Sequence, residues 1–122
     1  MSLENVHGYP VPVWSRFERP DLAGSLDGDG VIRARAGSPA ARGVLELALR
    51  RQGDRAEARF LAHGCPVTIA VGQWLAETLE NGMPSVPPDA AQIRAALEIT
   101  EDKAHCALMG EDVIRALWKQ MR

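Results

Sequence analysis

Residues 31–63 read VIRARAGSPAARGVLELALRRQGDRAEARFLAH. Three stretches of this segment alternate with a period of two, as strands with one buried face must. In 31–36, Ile32, Ala34 and Ala36 share one face, and Arg33 and Arg35 the other. In 44–50, Leu45, Leu47 and Leu49 oppose Glu46 and Arg50. In 57–63, Ala58, Phe60 and Ala62 oppose Glu57, Arg59 and His63. Gly37-Ser38-Pro39 and Gln52-Gly53-Asp54 punctuate the three stretches. Turns this short join antiparallel neighbours, so the segment predicts a three-stranded meander with one buried face.

Beyond His63 the period changes to that of a helix. Pro66 suits a first helical position, where its missing N–H costs nothing. Val67, Ala70, Val71, Trp74, Leu75 and Thr78 fall on one face, and Asn81-Gly82 closes the helix. Pro84 and Pro87-Pro88 mark a linker, and Asp89–Leu97 reads as a short helix carrying Ile93, Ala96 and Leu97. Thr100-Glu101-Asp102 opens a last helix with acidic residues in its first turn. Ala107, Gly110, Ile114, Leu117 and Met121 step along its buried side, with Glu111, Asp112, Arg115 and Lys119 expected in solvent. The fold class is therefore α+β: a three-stranded antiparallel meander sheet followed by three helices packed on one face.

Upstream the signals are weaker. Residues 1–13 hold two prolines and no periodicity, so they read as an extended lead-in, with a short helix over Val13–Phe17 stopped by Pro20. Asp27-Gly28-Asp29-Gly30 resembles a piece of a calcium loop, but Ser38 stands where that loop needs a glutamate, and a plain turn is expected. The whole chain of 122 residues is the size of one domain, 1–122. Its composition, 46% hydrophobic and 25% charged with a net charge of −2, asks for neither nucleic acid nor membrane. Arg33, Arg35, Arg50 and Arg59 on the exposed sheet face could suggest nucleic acid, but Glu46 and Glu57 share that face. No nucleic-acid partner is expected. No apolar run reaches the roughly 20 residues of a membrane span. The opening residues lack a secretory pattern, and two cysteines without one suggest a reducing, cytoplasmic setting.

Chemistry concentrates at Cys65 and at His105 beside Cys106. Cys65 falls at the N-cap of the first long helix, and Cys106 in or next to the first turn of the last. Helix N-termini present free N–H groups and partial positive charge, which stabilise a thiolate. Thiolate and imidazole together suit zinc or iron–sulfur chemistry. Cysteine is equally often a small buried hydrophobe, and a lone histidine such as His63 is usually a surface residue. No C-x-x-C, H-E-x-x-H, phosphate loop or G-x-S-x-G sharpens the choice.

The surrounding segments do. Phe17-Glu18-Arg19-Pro20-Asp21-Leu22-Ala23-Gly24-Ser25, Gly37-Ser38-Pro39-Ala40, His63-Gly64-Cys65 and Lys103-Ala104-His105-Cys106 carry a resemblance. The last is followed by Leu108, Glu111, Asp112, Ile114 and Ala116, and it is the most specific. Together they resemble the U-type iron–sulfur cluster assembly scaffolds, the IscU proteins and the N-terminal domain of NifU. The resemblance implies that Cys65, His105 and Cys106 line a cluster site, with Cys106 as sulfur acceptor. It further implies persulfide sulfur from a cysteine desulfurase, bound iron, a [2Fe–2S] cluster and transfer to apo iron–sulfur acceptor proteins. Zinc is an alternative occupant, and the chain is expected to be a carrier, not an enzyme. Where the family has its first cysteine this chain has Ala41, and where it has an aspartate, Gly43. His63, a partner protein, a thiol cofactor or water would complete the ligand set. The family's proline-rich chaperone segment reads Ile99-Thr100-Glu101-Asp102-Lys103 here, keeping only the lysine, so chaperone docking is not expected. The alternative reading is a metal-free interaction module that docks and regulates cluster-assembly partners. Three expectations follow. Cys65 and Cys106 meet at one end with His105 on the rim, the loop at Ala41 approaches that rim, and Cys106 is the more acidic thiol.

Overall fold

The computed structural model describes residues 8–38 and 42–121. Helix α1 (Val11–Glu18) leads into strands β1 (Val31–Ser38), β2 (Gly43–Gln52) and β3 (Arg55–His63). Helices α2 (Pro66–Glu80) and α3 (Ala90–Leu97) follow, then a 3-10 turn (Glu101–Lys103) that runs into α4 (Ala104–Gln120). The strands pair antiparallel in the order β1-β2-β3. The two-residue link Gly53-Asp54 between β2 and β3 places Gly53 at φ 65, a left-handed value that favours glycine. The predicted meander is thus observed, with each strand extended by two or three residues.

The predicted alternation also decides which face is covered. Leu45, Leu47, Leu49, Ala58 and Phe60 point inward and are buried beneath the helices. Helix α2 lies against β3 and β2, and α4 against β1 and β2; α1 packs on α2, and α3 on α4. The two long helices come close because of Gly110. A Cβ there would stand 2.6 Å from Val71 Cγ1. Helix α3 starts with a capping box: Asp89 accepts from the Gln92 N–H, and the Gln92 side chain accepts from the Asp89 N–H. Glu111, expected in solvent, accepts a 2.7 Å hydrogen bond from the Ala90 N–H and ties α4 to the start of α3.

The N-terminal segment differs from the reading of residues 1–13 as an extended lead-in. Helix α1 begins at Val11, since Pro10 caps it and Pro12 occupies its first turn, where proline is well tolerated. Residues 1–7 of that lead-in lie outside the described residues. Next, Leu22–Gly24 runs parallel to β3, with Phe60 N–H donating to Leu22 and Gly24 N–H donating to Phe60. Buried Gln73 on α2 accepts from the Leu22 N–H and donates to Glu77, which pairs with Arg16 of α1. The chain then crosses the outer sheet face toward β1. Arg33 and Arg50 donate to the carbonyls of Leu26 and Asp27 and pin the crossing. Leu26 and Ala48 are buried there, apart from the main core. Arg33, Arg50 and Arg59 thus all bond within the chain, Arg33 while still exposed and the latter two paired with Glu57 and Glu80.

Candidate functional site

Strand β3 ends at His63, and Gly64 turns the chain into α2. A Cβ on Gly64 would stand 2.8 Å from Thr68 Oγ1, so only glycine admits the close approach of that hydroxyl. Cys65 then caps α2 in an extended conformation, with Pro66 at the first helical position. Thr68 follows one turn later and is buried. On the other side, the 3-10 turn delivers Cys106 to the first turn of α4, 1% exposed and facing α2.

The structure brings the two thiols together. Cys65 Sγ and Cys106 Sγ are 3.9 Å apart. Thr68 Oγ1 lies 3.7 Å from the first and 3.6 Å from the second, closing a triangle of two sulfurs and a hydroxyl. The two sulfurs are within hydrogen-bonding distance, so the pair titrates as a unit. The hydrogen bond with Cys106 lowers the Cys65 pKa far below the ordinary thiol range; burial opposes this, and the N–H and hydroxyl of Thr68 and the N–H of Val67 reinforce it. The same bond, followed by burial, pushes Cys106 up. The expected order of acidity is therefore reversed. The first turn of α4 buries Cys106 behind α2, whereas Cys65 at its N-cap keeps partial access to solvent.

The imidazoles stand apart from this pair. His105 occupies the same first turn as Cys106 but is exposed, as is Leu108 one turn on. His63 is exposed on the outer sheet face, where it lines an open groove of about 440 Å³ with Arg35, Val44 and Leu61. Among the described residues, no three His, Cys, Asp or Glu side chains converge closely enough to hold a metal ion. Ala41 lies outside the described residues, and so does the expected approach of its loop to the rim. Gly43 is described: it is buried at the thiol end of the inward row of β2. Thr68 is the site residue that sequence reasoning missed. Its signal was its place three residues after an N-cap cysteine, where its N–H and hydroxyl face the cap.

Comparison with known proteins gives a consistent assignment. Residues 9–121 match the family described as NifU-like N terminal domain. The chain is 30% identical over 117 residues to the iron-sulfur cluster assembly scaffold protein IscU of Escherichia coli K12, covering 88% of this chain and 89% of that protein. It is 30% identical over 120 residues to the scaffold protein IscU of Haemophilus influenzae, covering 88% and 90%. With the iron-sulfur cluster assembly protein IscU of Plasmodium falciparum it shares 28% identity over 125 residues, covering 96% and 75%.

Proposed function

This chain belongs to the NifU-like N-terminal domain family, and from that premise we propose that it is a divergent iron–sulfur cluster assembly scaffold or carrier. The observation that carries the reading is the 3.9 Å separation of the two sulfurs. Two thiolates bound to one tetrahedral ion at about 2.3 Å would stand about 3.8 Å apart. The pair is spaced for a shared metal before any metal arrives, so little ordering free energy is spent on binding. The cargo is iron or a [2Fe–2S] cluster, with zinc as an alternative occupant. Cys65 and Cys106 hold it, and His105 turns in from the rim. A partner's side chain, a small thiol or water completes the set. His63, on the outer face, is the weaker candidate.

Sulfur acceptance belongs to the same reading. A thiolate attacks the terminal sulfur of the persulfide on a cysteine desulfurase. A new S–S bond forms, the donor's S–S bond breaks, and the donor leaves as its thiolate. Cys106 is the acceptor that the family resemblance assigns, and its burial sets a condition. Its proton must pass to Cys65, and the first turn of α4 must open. The loaded cluster then passes to apo iron–sulfur acceptor proteins. Turnover resides in those partners, so the chain is a carrier and not an enzyme. Two free thiols suit a cytoplasmic setting. No described helix is long and apolar enough to cross a membrane.

One observation favours the alternative of a metal-free docking module, namely that no three-ligand cluster is assembled among the described residues. Metal and sulfide analysis of anaerobically purified protein decides between the two. The scaffold reading expects iron or zinc that disappears in both Cys65→Ser and Cys106→Ser while the far-ultraviolet circular dichroism persists. Metal content unchanged in both variants would place any metal elsewhere, and none in the parent would favour the docking module.

A further inference from the structure

The inward positions of β2 run Gly43, Leu45, Leu47, Leu49, so a side chain at 43 would point toward the helices at the thiol end. A Cβ built on Gly43 would stand 3.8 Å from Thr68 Oγ1, the hydroxyl that touches both sulfurs. It would also stand 3.2 Å from the Met109 terminal methyl and 3.2 Å from the His63 carbonyl oxygen. Met109 is buried one helical turn after Cys106. Position 43 therefore looks straight at the site, and Met109 stands in the space its side chain would use.

We propose that Met109 is the specificity-determining residue of this site: it plugs the route by which a carboxylate on β2 would reach the two thiols. Cargo is then held on two thiolates and completed from outside, with no ligand from the sheet. The identity of the cargo rests on the proposed scaffold function; the plug itself rests on packing alone. A thioether is apolar and adaptable, so it fills the space that faces position 43. A carboxylate added at 43 against the intact plug would be crowded and deprived of water, which disfavours its charged form.

The test uses chelator-treated protein with cobalt(II) as the probe, read by its thiolate-to-metal absorption. Gly43→Asp combined with Met109→Ala is expected to bind cobalt(II) more tightly than the parent by on the order of tenfold, the scale typical of changes around a metal. Either substitution alone is expected to gain much less. An equal gain from Gly43→Asp alone would overturn the plug, as would no gain from the double variant when the parent binds. If no protein binds cobalt(II), the scaffold function fails and the plug is judged on folding. Gly43→Ala should then lower the urea midpoint clearly beside Met109, and by less than half as much in the Met109→Ala background. Equal shifts in the two backgrounds would overturn it.

Discussion

The contact between the two sulfurs makes Cys65 and Cys106 a unit with its own pH dependence. In the unfolded chain both thiols titrate at about 8.5. In the folded chain Cys65 is lowered and Cys106 raised. Between the lowered Cys65 value and the ordinary thiol range, the folded pair holds one proton fewer than the unfolded pair. Stability contributed by the pair therefore rises with pH through that window. Above the ordinary range the unfolded pair loses both protons while Cys106 keeps its own, and the contribution falls again. Cys106→Ala removes the hydrogen-bond partner, returns Cys65 toward an ordinary thiol and should flatten the rise. Urea midpoints at about pH 6 and about pH 8 for parent and variant measure this; parallel slopes would contradict the coupling. The positions of both cysteines were legible in the sequence, because Pro66 marks one helix start and Glu101-Asp102 the approach to the other. Which thiol is the more acidic was not, because it depends on which sulfur the packing of α4 on α2 hides.

Helix α4 can reach α2 only over Gly110, and the thiol pair inherits its spacing from that approach. Gly110→Ala places a methyl against Val71 and should cost about 1–3 kcal/mol, the usual range for overpacking. It should also make Cys65 less acidic, because Cys106 is carried away with α4. Urea unfolding and the pH profile of Cys65 alkylation test both statements; lost stability with an unchanged profile would show that the two helix starts are held together by something else. The elements themselves were largely readable. Alternation at 44–50 gave the central strand, and Asp89 with Gln92 formed the expected start of α3. The turn expected at 27–30 is present, but the stretch at 22–26 was not readable, because its order comes from distant partners, Phe60, Gln73 and Arg33, and not from any period of its own. The early start of α1 was hidden by Pro10 and Pro12, which look like breakers but serve as a helix entrance.

At the scale of the molecule the sheet has two unequal coats. The inner face carries the main core and the thiols, and among the described residues the outer face carries the crossing segment, with Leu26 and Ala48 buried apart from the core. Leu26→Ala should therefore cost about 2 kcal/mol, the low end for a buried leucine, and leave the reactivity of Cys65 unchanged. Thermal unfolding and alkylation rates check the two halves of that expectation; altered alkylation would mean that the faces communicate through the sheet. The parallel contact between Leu22–Gly24 and β3 has a consequence for synthesis. Ribosomes build a chain in one direction, and residues 11–24 leave the tunnel well before Phe60, Gln73 and Glu77, the groups that receive them. Helix α1 emerges well before the surface that houses it, and until α2 is complete Val13 lacks that wall to lie against.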